Sequence, residues 1–262
     1  MFDTCEGLLV GMVHLPTLPG APGYEGSRTG LRDRAVADAR ALESGGMDAL
    51  LVENFGDAPF YPDDVPDHTV AEMTAVVGAV RDAVSLPVGV NVLRNDARAA
   101  LSVAAATGGA MVRVNVHAGA RVTDQGVVEG RAHETMRLRD RLDCDVSVLA
   151  DVAVKHSSPL GEENVESETR DVVERGHADA VVVSGRGTAE PTNADRLSRV
   201  ARVAAELDVP VLAGSGVTPE TVWEVLSVAD GAIVGSALKE GGAPTNPVDE
   251  ARVRALVTAA RG

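Results

Sequence analysis

The sequence predicts an α/β fold, a single (β/α)8 TIM barrel spanning residues 1–262, with phosphate-binding turns in its last quarter. Three observations lead there. Short apolar runs recur along the whole chain, and eight of them can be marked. An amphipathic stretch follows each run. The total length is that of eight β-then-α units.

The runs are GLLVGMV (7–13), DALLVEN (48–54), LPVGVNV (86–92), AMVRVNV (110–116), DVSVLADV (145–152), ADAVVVS (178–184), VPVLAGS (209–215) and GAIVGS (231–236). They are almost continuously apolar, as parallel strands buried on both faces must be. Helical patterns fall at 31–44, 70–83, 97–107, 132–142, 164–175, 195–207 and 219–228. A last helix over 247–260 is expected, with Asn246 as N-cap and Pro247 at its first position. Gly45, Gly46, Gly108, Gly109 and Gly176 stand where helices should end. A doubly wound sheet would open on a glycine-rich first turn. Here the first run is followed by HLPTLPGAPGYEGS, with no G-x-G-x-x-G. The loop over 15–30 is too rich in Pro and Gly for helix, and is expected either to cover the barrel mouth or to lie passively on the surface. No linker or low-complexity tract divides the chain, so one domain is expected.

The charge balance excludes several classes. Asp plus Glu number 39 against 24 Lys plus Arg, a net charge of -15. Such a chain repels phosphate backbones, which argues against nucleic acid as a partner. No window carries the ~20 apolar residues of a membrane span. The opening MFDTCEGLLVGMVHLP lacks a basic flank before its apolar run, unlike a signal peptide, so a cytoplasmic protein is expected. Cys5 and Cys144 are too few for a disulfide framework or a metal-ligand motif. The acid excess with almost no Lys fits a surface adapted to very high salt, as in a halophilic archaeon. A GC-rich genome that replaces Lys by Arg is the alternative.

Barrel active sites lie at the C-terminal ends of the strands. Polar residues gather at those ends: His14, Glu53, Asn91, Arg113, Asn115, His117, Asp151, Lys155 and Ser184 with Gly185. Residues two apart on a strand share a face, so Arg113, Asn115 and His117 form one set. A charge as deep as Arg113 needs a partner, and Glu53 or Asp151 could supply it. The same residues would also make a purely structural buried network.

The last quarter is more specific. VPVLAGSGVTPETV reads as strand, G-S-G turn and helix, and DGAIVGSALK as strand, G-S turn and short helix. The seventh and eighth units are where barrels bind phosphate, on glycine turns that admit an anion to backbone N–H groups. Gly214, Ser215, Gly216, Gly235 and Ser236 are the candidates, joined by Ser184 and Gly185. Of the 24 basic residues only two, Lys155 and Lys239, are lysines. Both follow strand ends. Arginine cannot replace a lysine used as an imine-forming or titrating group, which singles out Lys155. Lys239 would add charge beside the phosphate turns.

These stretches resemble the BtpA family. The matching segments are GMVHLPTLPGAP, GGMDALLVENFGDAPF, LPVGVNVLRNDA, VRVNVHAGARVTDQGVVEGRA, LADVAVKHSSPL, VLAGSGVTPETV and DGAIVGSALK. The resemblance implies the barrel fold and points to the TDQG loop over 123–126, which adds Asp124 to the candidates. Its members include proteins associated with photosystem I biogenesis and others of the SgcQ type among sugar-utilisation proteins.

The expected function is a barrel enzyme acting on a phosphorylated sugar or nucleotide-derived small metabolite, of isomerase or aldolase-like lyase type. Asp151 would be the general acid or base, with Glu53 or His117 as counterpart. Asn91 and Asn115 would orient hydroxyls or an oxyanion. Lys155 would polarise a carbonyl or form an imine. One alternative is a non-catalytic assembly factor of the photosystem I biogenesis type. Another is a metal-dependent hydrolase using His14, His117, His156 and Asp151, although the H-x-H usual on the first strand of such barrels is missing. No cofactor and no resident metal are expected, and a homo-oligomer is left open.

Overall fold

The computed structural model describes residues 7–185 and 193–262; Cys5 lies outside them. Eight parallel strands close into a barrel. They are β1 (Leu8–His14), β2 (Ala49–Glu53), β3 (Val88–Asn91), β4 (Met111–Val114), β7 (Ser147–Val152), β9 (Ala180–Ser184), β10 (Val211–Gly214) and β11 (Gly231–Val234). β1 closes the ring by pairing with both β2 and β11. The remaining strands, β5 (Ala120–Thr123), β6 (Gly126–Glu129) and β8 (Ser157–Pro159), form a small antiparallel sheet in the order β6-β5-β8. It is built from the loops that follow β4 and β7.

Around the barrel run α1 (Arg28–Gly45), α2 (Asp67–Ala83), α3 (Ala97–Thr107), α4 (Ala132–Leu142), α5 (Val165–Arg170), α6 (Ala194–Glu206), α7 (Val222–Leu226) and α8 (Glu250–Arg261). Ser27, Asp96, Asn164, Asn193 and Asp249 cap helix starts with side-chain oxygens. Gly46 and Gly108 end α1 and α3 in the left-handed conformation, as expected.

Two layers of apolar side chains build the core. One lies between strands and helices, with Leu9, Val13, Leu50, Val52, Val90 and Val112 among its members. The other fills the barrel, with Leu8, Val10, Met12, Ala49, Leu51, Met111, Leu149, Val182, Leu212 and Ile233. The interior set sits at every second residue, the period of a strand. Continued upward, the same alternation turns His14, Glu53, Asn91, Arg113, Asp151, Ser184, Gly214 and Gly235 toward the axis at the C-terminal mouth.

Two expectations need correction, the start of the last helix and the end of the first loop. The last helix is capped by Asp249, not Asn246, and Pro247 precedes it. Val248 bridges Lys239 and donates its N–H to Asp38 Oδ1, so the chain stays extended until that point. Gly176 does end its helix, as expected, but in a right-handed conformation, and His177 takes the left-handed one at φ 54°. Gly176 is needed for space, since a Cβ there would lie 2.9 Å from His117 Cδ2. The loop over 15–30 packs on the segment after β2: Thr17 Oγ1 donates to Gly56 O and Leu18 N to Asp57 Oδ1. Its last residues, from Arg28, already belong to α1.

Candidate active site at the barrel mouth

At the centre, Arg113 grips Asp151 with two hydrogen bonds, Nε to Oδ1 and NH2 to Oδ2, both 2.8 Å. Arg113 NH2 also reaches Ser184 Oγ at 3.2 Å. Asn115 Nδ2 donates to Asp151 Oδ2 at 3.1 Å. Burial works against the guanidinium charge, but Asp151 outweighs it and holds the Arg113 pKa above its ordinary value. Both Asp151 oxygens are thus engaged, which sets it apart from an open general base. Its structure is that of a buried pair that fixes Arg113, Asn115 and the end of β7.

Glu53 is the opposite case. Both its carboxylate oxygens are buried and lack any hydrogen-bond partner among the described residues. His14 Nε2 lies 3.9 Å from Glu53 Oε1. His14 Nδ1 meets Pro244 O at 2.9 Å. A carbonyl only accepts, so the proton sits on Nδ1 and Nε2 presents a lone pair. Burial lowers the His14 pKa to about 4 against the pull of Glu53, so the ring is neutral at pH 7. It stacks on Phe55 with centroids 4.5 Å apart.

Asn91 Nδ2 donates to Arg113 O at 2.9 Å and to Asn115 Oδ1 at 3.3 Å. Those two acceptors fix the amide orientation and leave Asn91 Oδ1 buried without a partner. Lys155 follows β7 and is buried; burial lowers its pKa, with Glu53 opposing. Its backbone carbonyl accepts from Arg94 NH2 at 2.5 Å.

A cavity of about 210 Å³ opens here, lined by Met12, His14, Arg113, Lys155, Ile233 and the two glycine turns. The turns contribute Ser215, Gly216, Val217 and Thr218 after β10, and Gly235, Ser236 and Ala237 after β11. Ser215 and Gly216 are both left-handed, at φ 75° and 66°. Gly235 gives the close approach of the His14 ring: a Cβ there would lie 3.0 Å from His14 Cε1. Gly214 does the same below Ser184, whose Oγ would be 2.9 Å from an added Cβ. Val217, Thr218 and Ala237 were not singled out by sequence; they lie in the same turns as the residues that were.

Other candidates stand apart. His117 does not join Arg113 and Asn115: β4 ends at Val114, Asn115 still keeps the inner face, and the chain bends before His117. Its Nε2 bonds Gly176 O at 2.9 Å, toward the helical layer. Asp124 is exposed at the tip of the β5–β6 hairpin and does not join the cluster; burial lowers the Arg94 pKa, and Asp151 and then Asp124 only partly oppose it. Ser184 and Gly185 are buried at the end of β9, with Ser184 committed to Arg113. Lys239 is not beside the phosphate turns as a free charge: it is fully buried and paired with Asp38 Oδ2 at 3.5 Å. The metal set expected of a hydrolase is not assembled, because His117 is bonded to Gly176 O and His156 is exposed. Among the described residues, no three His, Cys, Asp or Glu side chains are arranged to hold a metal.

The chain is 47% identical over 253 residues to an uncharacterised protein of Thermococcus kodakarensis, covering 97% of this chain and 95% of the relative. It is 42% identical over 251 residues to the photosystem I biogenesis protein BtpA of Synechocystis, covering 96% and 87%. In structure it resembles N-(5'-phosphoribosyl)anthranilate isomerase from Pyrococcus furiosus, with TM-score 0.58 and 15% identity over 97% of this chain and 98% of that one. That likeness shows the fold alone. A profile of the BtpA family matches residues 5–262, and the chain belongs to the BtpA family.

Proposed function

We propose that the protein is an enzyme acting on a phosphorylated sugar or nucleotide-derived small metabolite, by acid–base chemistry of the isomerase or lyase type. The observation that carries this reading is one cavity that gathers two glycine–serine turns and a buried lysine amine. The backbone of Ser215, Gly216, Val217, Ser236 and Ala237 offers N–H groups to an anion at the strand ends where barrels commonly bind phosphate. Arg113 and Lys155 add positive charge to the same cavity. The structurally similar isomerase acts on a phosphoribosyl compound by its name, which fits this reading.

In this account Lys155 is the reacting group. Its lowered pKa raises the fraction of free amine, suited to polarising a carbonyl once protonated or to attacking it as an imine-forming nucleophile. Glu53 is the counterpart proton acceptor, because its oxygens are not committed elsewhere. Asn115 and Asn91 hold the Arg113–Asp151 pair and the rim of the cavity in place.

The test is a melting-temperature panel of sugar phosphates and nucleotides, in dilute buffer and in molar KCl. A ligand of the folded state raises the melting temperature by mass action. At least one phosphorylated compound should do so while its dephosphorylated form does not. If none does, the reading fails.

A second reading, an assembly factor, takes its motive from the name of the Synechocystis relative. It is favoured by Val122 and Val127, cross-strand neighbours on the β5–β6 hairpin that are 41% and 53% exposed.

A further inference from the structure

The ends of β1, β2 and β3 carry three residues in lateral register: His14 pairs with Glu53, and Glu53 with Asn91. All three side chains turn inward, and each is buried. What they present to the mouth is of one kind. His14 Nε2 is a lone pair, because its proton is held at Nδ1 by Pro244 O. Glu53 offers two carboxylate oxygens and Asn91 its Oδ1, all without a hydrogen-bond partner among the described residues. Four acceptors thus stand side by side, and three of them have no donor assigned among the described residues. Buried acceptors are expensive to leave unpaired, so this row is complete only when something donates to it.

We infer that the row formed by His14, Glu53 and Asn91 binds neighbouring hydroxyl groups of the substrate, so that the substrate is a polyhydroxylated carbon chain whose far end carries the phosphate. The inference rests on the phosphate reading above and adds to it the chemistry of the other end. Two hydroxyls on adjacent carbons bring two donors, and strands about 5 Å apart with converging side chains can meet them both. An ammonium group would also donate; Glu53 would attract it, while Lys155 and Arg113, which line the cavity with His14, would repel it. Hydroxyls carry no such penalty. The turns after β10 and β11 supply donors to the phosphate, and the row on β1 to β3 supplies acceptors to the chain. The two ends of the substrate are therefore distinguished by opposite hydrogen-bonding character.

Isothermal titration with four probes tests this: inorganic phosphate, ribitol 5-phosphate, n-pentyl phosphate and 5-aminopentyl phosphate. The three esters share chain length and phosphate. The wild-type protein should bind ribitol 5-phosphate at least about tenfold more tightly than either other ester, a difference of the size one or two buried hydrogen bonds produce. Glu53→Gln should erase that preference without weakening inorganic phosphate binding, because the amide supplies its own donor to the row and removes a negative charge near Arg113 and Lys155. The wild-type comparison stands even if the variant does not fold. Equal binding of ribitol 5-phosphate and n-pentyl phosphate, with inorganic phosphate bound, overturns this inference alone. Tightest binding of the aminopentyl ester overturns it in favour of an ammonium. Binding of none of the four overturns the phosphate reading and this inference with it.

Discussion

Glu53 and His14 face each other across 3.9 Å with neither able to donate to the other. The reason is the carbonyl of Pro244, far along the chain, which claims the imidazole proton at Nδ1. The pair is therefore not a salt bridge at neutral pH, although its geometry resembles one. It is an acceptor site held open by a distant backbone group.

That assignment has a spectroscopic consequence. Burial places the folded His14 pKa at about 4, below the 6.5 of an ordinary histidine. The unfolded chain consequently binds more protons between those values, and stability contributed here is lost as pH falls from 6.5 toward 4. Long-range 1H–15N spectra should show His14 protonated at Nδ1 at pH 7, with a titration midpoint near 4. A midpoint near 6.5 would contradict the buried, neutral ring.

Asp151 should behave as half of a structural pair. Asp151→Asn leaves the Arg113 charge buried without its counter-charge, and breaking one side of such a pair costs about 3 kcal/mol or more. Urea unfolding would measure this. A loss below about 1 kcal/mol would mean that the pair does not hold the mouth together.

Alternation within strands made much of this site legible. His14, Glu53, Asn91, Arg113, Asp151 and Ser184 all follow the period-2 rule upward from the apolar barrel interior. The rule failed past the strand's end: Asn115 still keeps the Arg113 face, but His117, after the bend that follows β4, turns to Gly176. Partners distant in sequence were invisible, because nothing periodic marks Pro244 as the neighbour of His14 or Asp38 as the neighbour of Lys239. The small β6-β5-β8 sheet was also missed, since its strands are three or four residues long and two of them are largely polar. Its tip, the TDQG turn, was visible only through family resemblance.

Lys239 offers a second pH signature. It is fully buried, and burial lowers its pKa to about 8 from 10.5 despite Asp38. Between these values the unfolded chain holds a proton that the folded one lacks, so stability rises with pH across that window, by up to about 1.4 kcal/mol per pH unit. Lys239→Met has no such slope. Unfolding free energies at pH 8, 9 and 10 should therefore move in favour of the wild type as pH rises. Parallel curves would refute the buried, depressed lysine.

Lys155 is readable by chemical labelling, because the chain has only two lysines. Its pKa is lowered by burial, yet it lines an open cavity, whereas Lys239 has no exposed surface. Competitive acetylation should modify Lys155 with a midpoint below 10.5 and spare Lys239. A midpoint at the ordinary lysine value would remove the chemical reason for assigning Lys155 the reacting role.

The central claim is that an anion belongs between the turns after β10 and β11. Diffraction from crystals soaked in inorganic phosphate tests it most directly. The account predicts phosphate density within hydrogen-bond distance of backbone nitrogens among Gly216, Val217, Ser236 and Ala237, in the cavity that Lys155 and Arg113 also line. Phosphate bound only elsewhere on the protein, with this cavity free of it, would contradict the account.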